Sequence, residues 1–270
     1  MNSLVFLKLG GSLITEKTSA RTARLETIHR IAQEIAGELS NHPEIRLLLG
    51  HGSGSFGHVS AYRYGTRQGV ATPEGWRGFA EVWHDARELN QIVLESLHAA
   101  GLPVIAYPPS ACIVANHGEV ESWDLSGIKR ALEAGLIPVV NGDVAVDRSI
   151  GGTILSTEDV FHYLAKDLQP DRILLAGIEQ GVWADFPACT RLVEVITPAD
   201  RERLAPSLKG SAAVDVTGGM ADKVTGLLEL VGAQAHLEGM IFSGEGEGDI
   251  GRALGGATFG TLIRGLPSKE

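Results

Sequence analysis

Short apolar runs that stop at glycines or small polar residues, separated by longer amphipathic stretches, restrict most what this chain can fold into. The runs at 4–9, 45–49, 104–107, 137–140, 172–176, 240–242 and 258–263 are too short for buried helices and read as strands. The stretches at 25–39, 73–99, 125–134, 158–167, 220–232 and 250–254 repeat apolar residues at helical spacing. Strands and helices in alternation predict an α/β fold, with an open, mainly parallel sheet covered by helices on both faces. Two segments break the rhythm. Residues 111–122 and 143–155 predict hairpins, with turns at Asn116-His117-Gly118 and at 148–152. No repeat, low-complexity tract or linker intervenes, so the 270 residues are expected to form a single domain. The acidic, glycine-rich run 244–249 reads as a surface loop.

Composition narrows the partners. Hydrophobic residues make up 44% and charged residues 21%, an ordinary globular balance. A net charge of -10 argues against a general nucleic-acid or membrane-surface binder. It leaves room for an anionic small molecule, because a few placed lysines dominate a local field. Cys112 and Cys189 have no metal-ligand spacing and read as reduced thiols. The N-terminus lacks the pattern of a signal peptide, and no run approaches the roughly 20 apolar residues of a membrane span, so a cytoplasmic location is expected.

Three glycine turns carry the chemistry. In Lys8-Leu9-Gly10-Gly11-Ser12 a strand ends, the backbone turns and a cation stands beside exposed N–H groups, which suits a polyphosphate. A plain Gly-Gly turn explains this stretch equally well when it is taken alone. Residues 51–58 follow the second strand and place Gly52, Gly54 and Gly57 in a G-x-G-x-x-G pattern. A dinucleotide fold is disfavoured because this is the second strand–loop unit and because His58 closes the loop. His58 reads instead as an anion-binding donor. In residues 215–223 a turn opens a helix near Met220, with Thr217 as N-cap and Lys223 about one turn in, able to reach back over the helix start. The G-x-x-x-x-G-K-[ST] phosphate loop is absent. Lys8, Lys17, His58 and Lys223 together make the set that phosphoryl transfer requires, since that chemistry is mostly positioning and charge stabilisation. No general base accompanies them, which fits an acceptor that is itself a phosphate. On the helix at 73–99, Phe79 and Trp83 share a face with Val82 and are candidates for an acceptor-tail pocket, with core packing as the alternative.

The stretches 7–15, 51–58, 108–111, 138–143, 215–223 and 260–263 run along nearly the whole chain. In them the sequence resembles the isopentenyl phosphate kinases of the amino-acid-kinase superfamily. The resemblance implies a three-layer αβα sandwich, with an acceptor-binding lobe at about 1–155 and a nucleotide-binding lobe at about 156–270. It implies ATP as phosphoryl donor, Mg²⁺ arriving on the ATP phosphates with no separate protein metal site, and a homodimer. It further implies that Lys8, Gly10, Gly11, Ser12, Gly54, Gly218 and Lys223 hold ATP, and that Ser53, Gly54, His58 and Thr157 border the acceptor. Lys17 and Lys223 would stabilise the transferred group, and Asp143 would orient the lysines. The family histidine matched by His58 holds the acceptor's terminal phosphate, and relatives with carboxylate acceptors lack it. Two departures stand out. Ser156-Thr157-Glu158 replaces Ser-Gly-Asp, which puts a side chain near the acceptor, and Gly177-Ile178-Glu179-Gln180-Gly181 replaces Thr-Asp-Val-Asp-Gly beside the nucleotide. The expected reaction is ATP-dependent conversion of isopentenyl phosphate to its diphosphate, in isoprenoid synthesis through a mevalonate pathway. The alternatives are a fosfomycin-type phosphonate kinase and a non-catalytic nucleotide-binding protein on the same fold.

Overall fold

The computed structural model describes residues 3–204 and 219–265. In chain order it forms β1 (Ser3–Leu9), α1 (Gly11–Ile14), α2 (Leu25–Asn41), β2 (Ile45–His51), α3 (Gly54–Tyr64), α4 (Pro73–Ala99), β3 (Val104–Ala106), α5 (Pro109–Cys112), β4 (Val114–Asn116) and β5 (Glu119–Ser122). There follow α6 (Ser126–Glu133), β6 (Ile137–Asn141), β7 (Asp143–Asp147), β8 (Gly151–Leu155), α7 (Thr157–Leu168), β9 (Arg172–Gly177), β10 (Val182–Trp183), β11 (Leu192–Val193) and β12 (Val195–Ile196). The last described elements are α8 (Met220–Ala233), β13 (Glu238–Ser243), α9 (Asp249–Leu254) and β14 (Thr261–Arg264).

Among the described residues the main sheet has eight strands in the order β12-β14-β13-β9-β1-β2-β6-β3. β13, β9, β1, β2, β6 and β3 run parallel, while β14 is antiparallel to β13. Strand periodicity explains the layering. Along β1, Leu4 and Phe6 enter one buried cluster with Val160, Phe161 and Leu164 of α7. Val5, Leu7 and Leu9 enter a second cluster with Ile28, Ile31 and Ile35 of α2 and Leu89 and Val93 of α4. Alternate residues of one strand thus feed two cores on opposite faces, which is what a helix–sheet–helix sandwich requires. Each fully buried Leu, Ile or Phe contributes about 1.5–3 kcal/mol, so the central strands are the rigid floor on which the loops stand.

The two expected hairpins form, and a parallel pairing of β4 with β7 joins them into a four-stranded sheet, β5-β4-β7-β8. His117 and Gly118, at φ 53° and 79°, make the β4–β5 turn. Two successive positive φ values match the right-handed twist of a hairpin.

The segment expected as a glycine loop ending in His58 is largely helical, because α3 starts at Gly54. Intrinsic propensity is overridden by packing, since Phe56, Gly57, Ser60 and Ala61 are buried and α3 lies against α4. The acidic run after β13 is an anchored turn. Arg30 donates to the Gly244 and Gly246 carbonyls at 2.7 and 2.8 Å, and Glu34 accepts from the Gly248 and Ile250 amides. No helix among the described residues is long and apolar enough to cross a membrane.

Candidate active site

Chain order places the site. From β1 the chain passes through α2 to β2 on one side, and α7 later delivers β9 to the other side of β1. The carboxyl ends of β1, β2 and β9 therefore splay apart at a topological switch point, where open α/β sheets bind ligands. A cleft of about 670 Å³ lies there, within the usual range for small-molecule sites.

The strand ends are packed backbone against backbone. The Gly10 amide donates to the Ala176 carbonyl at 2.8 Å, and the Gly52 amide to the Leu9 carbonyl at 3.0 Å. A Cβ on Gly11 would sit 2.5 Å from the Gly54 nitrogen, and one on Gly52 would sit 2.9 Å from the Gly11 nitrogen. Gly54 itself adopts φ 49°. These glycines are needed first to bring two loops together, and that contact sets the shape of the cleft. The amide of Gly10 is committed to β9, so Gly10 shapes the turn. Thr15 ties the arrangement: its hydroxyl donates to the Gly11 carbonyl at 2.7 Å and accepts from the Ser55 amide at 3.0 Å.

Lys8, Gly10, Gly11, Ser12 and Lys17 all line the cleft, as do Ser53, Gly54, His58, Thr157 and Lys223. Residues 8 to 223 in sequence thus converge on one space. Lys223 stands on the first turn of α8, whose N-cap is Gly219. Thr217, expected as that cap, and Gly218, expected at the nucleotide, lie outside the described residues.

Lys8 is only 7% exposed, and its ammonium donates to Glu158. Burial pushes the Glu158 carboxyl up, but the charges of Lys8 and Lys223 and the hydrogen bond from Lys8 outweigh it and hold the group below the ordinary carboxylate range. Glu158 thus stays ionised between two of the lysines. The lysine-orienting role expected of Asp143 falls geometrically to Glu158. Asp143 instead accepts from the Ser110 hydroxyl at 2.6 Å and from the Val144 amide at 2.8 Å. Burial lifts it to about 6 against the pull of those bonds. In the sequence alone residues 156–158 stand out as a departure from relatives, with little to mark Glu158 as the partner of Lys8. The available signal was an acid in the first turn after β8, at the same sheet edge as Lys8. Thr157, in the cleft lining, is 1% exposed, and its hydroxyl donates to the His51 carbonyl at 2.6 Å, so the side chain also braces the end of β2.

His58 lies where the cleft meets a second, narrow recess lined by Ala61, Val82, Ala86 and Ile154 together with Ser53, Gly142 and Asp143. Phe79 and Trp83 line neither space. Val82 and Ala86, four residues apart on α4, share the inward face. Phe79 packs behind it against Trp76, with ring centroids at 5.2 Å, and beside Gly152. Trp83 is 40% exposed under the Arg87 guanidinium. Among the described residues no group of three or more His, Cys, Asp or Glu side chains forms a ready metal cage.

Comparison with known proteins was consistent across sequence and structure. Residues 3–243 match the model of the amino acid kinase family. The chain is 36% identical to the isopentenyl phosphate kinase of Methanothermobacter thermautotrophicus over 97% of its own length and 99% of that protein's. It is 32% identical to the isopentenyl phosphate kinase of Methanocaldococcus jannaschii, over 96% and 98%. A crystal structure described as isopentenyl phosphate kinase superposes with a TM-score of 0.77 at 31% identity, covering 96% of this chain and 99% of that one.

Proposed function

We infer that this chain, which belongs to the amino acid kinase family, transfers the terminal phosphoryl group of ATP to isopentenyl phosphate. The observation that carries this reading is the position of His58, shared by a lysine-lined cleft on one side and a mostly apolar recess, with Asp143 in its wall, on the other. An acceptor with a phosphate head and a short hydrocarbon tail suits both halves once the recess opens, and nearly full-length similarity to isopentenyl phosphate kinases supports it. A polar phosphonate such as fosfomycin would leave the recess lined by Ala61, Val82 and Ile154 without an apolar partner.

The chemistry follows from charge. A phosphate monoester is largely dianionic near neutral pH, its second pKa being about 6, so it needs no general base. What opposes reaction is repulsion between two anions. In this reading Lys8 and Lys223 meet the ATP phosphates, Lys17 meets the group in transit, and His58 donates to the acceptor phosphate. Glu158 offsets the charge of Lys8 and Lys223 until nucleotide supplies negative charge of its own. Mg²⁺ would come with ATP, bound mainly by phosphate oxygens. The recess has room for about 10 Å³ as it stands, so a bound tail must part Val82 and Ile154. A homodimer in the cytoplasm, serving isoprenoid synthesis through a mevalonate pathway, completes the proposal.

The test is ATP consumption with isopentenyl phosphate, dimethylallyl phosphate, longer prenyl phosphates and fosfomycin. Turnover should be best with the five-carbon phosphates. Preference for fosfomycin, or no turnover with any of them, would overturn the reading.

A further inference from the structure

The segment that carries Lys17 leaves the sheet after α1 and returns before α2. Its two ends meet in a bridge between Thr15 and Ala23, and the Glu16 amide donates to the Thr22 carbonyl at 2.9 Å. Lys17, Thr18 and Ala20 face the cleft. At its far corner Arg21 adopts φ 51°, a conformation that residues other than glycine seldom take. That backbone is held because the Arg21 amide donates to the Ser55 carbonyl at 3.2 Å. The Arg21 side chain then reaches α4, where Nη2 donates to Glu88 and Nη1 lies 3.0 Å from Asp85 Oδ1.

Asp85 is the unusual member. Its side chain is 7% exposed, and Oδ1 is a buried oxygen with no aligned hydrogen-bond donor, so the charge that meets it is the Arg21 guanidinium, with His84 Nδ1 3.8 Å away. Its other oxygen accepts from the Ser60 hydroxyl at 2.9 Å. Ser60 lies in α3, two residues beyond His58. One buried carboxylate therefore touches both the loop that brings Lys17 and the helix that brings His58.

We propose that Asp85, acting through Arg21 and Ser60, is a positioning residue that fixes the spacing between Lys17 and His58, and hence between the transferred group and its acceptor. The inference rests on the roles of Lys17 and His58 given above. It predicts a loss in the chemical step, not in substrate affinity, because a displacement of about 1 Å between reacting groups can cost a hundredfold in rate.

The experiment is a kinetic cycle on the full chain with ATP and isopentenyl phosphate, using Lys17→Ala, Arg21→Ala and the double variant, with Arg21→Lys and Asp85→Asn alongside. Arg21 is half-exposed, so the Ala variant should fold. Arg21→Ala should lower kcat by about ten- to a hundredfold with both KM values little changed. Arg21→Lys should recover part of the loss, and Asp85→Asn should act in the same direction. In the Lys17→Ala background, Arg21→Ala should cost little more, since the group it positions is gone. Losses that multiply in the double variant would overturn the proposal, as would normal turnover in Arg21→Ala beside a crippled Lys17→Ala. If Lys17→Ala itself turns over normally, it is the assignment of Lys17 that fails, and amide exchange over residues 16–22 decides the clamp. Faster exchange in Arg21→Ala upholds it, and unchanged exchange overturns it.

Discussion

Replacing Gly54 by Ala tests whether the two glycine turns are built against each other. The cost has two parts. At φ 49° a side chain meets the left-handed penalty, about 1–2 kcal/mol. The added Cβ would also lie 2.2 Å from Thr15 Oγ1 and 2.7 Å from the Gly11 carbonyl oxygen. The hydroxyl has to move, and it holds two hydrogen bonds, to Gly11 and from Ser55. At about 0.5–1.5 kcal/mol each, their loss adds about 1–3 kcal/mol, for a total of about 2–5 kcal/mol. Gly101→Ala is the control, because Gly101 has φ 83° with nothing within 4 Å of an added Cβ and should cost only the conformational part. Urea unfolding of both variants, with slopes compared to confirm two-state behaviour, measures the difference. Gly54→Ala no more destabilising than Gly101→Ala would refute the mutual packing of the loops.

Two further outcomes follow from the acids. Glu158→Gln removes the charge that balances Lys8 and Lys223. At pH 7, above the range where a carboxyl with a lowered pKa titrates, it should destabilise the free protein by about 1–3 kcal/mol. Saturating ATP should shrink that deficit, which calorimetry would register as tighter nucleotide binding, and an equal deficit with and without ATP would contradict the charge balance. For Asp143, lifted from 3.8 to about 6, the ionised form is the unfavourable one when folded. Its protonated contribution is intact below the unfolded value and is lost as pH rises through the folded one. Asp143→Asn does not titrate, so its stability relative to the parent should improve by about 1.4 kcal/mol between pH 5 and pH 8. A pH-independent difference in denaturation midpoints would show that burial does not raise this carboxyl.

Much of the fold was legible because the strong signals are local. The run ending at Leu9 and the amphipathic stretch 73–99 carry their own periodicity, and α4 begins and ends where the sequence placed it. What escaped depends on tertiary packing. The helix from Gly54 to Tyr64 is weakly patterned and rests on α4 for its burial. The site divides in the same way. Lys8, Lys17, His58 and Lys223 could be picked out by their glycine-rich or near-terminal settings and by resemblance, and they share one cleft. Glu158, Asp85 and Arg21 could not, because each matters through a partner far away in sequence, 150 residues in the case of Lys8 and Glu158. Phe79 and Trp83, expected at a tail pocket, are not among the residues that line the recess. Val82 and Ala86 of the same helix do line it, and Phe79 packs against the cluster of Ala61, Val82 and Ile154.

In the proposed reaction His58 holds the acceptor phosphate and leaves ATP to the lysines. The most direct measurement compares His58→Ala with the parent in two ways, by steady-state kinetics with isopentenyl phosphate and by calorimetric titration with ATP alone. A hydrogen bond to a charged group is worth about 1.5–3 kcal/mol, so kcat/KM for the acceptor should fall by roughly one to two powers of ten while ATP affinity stays near the parent value. Intact acceptor kinetics, or ATP binding weakened as much as turnover, would contradict the assignment.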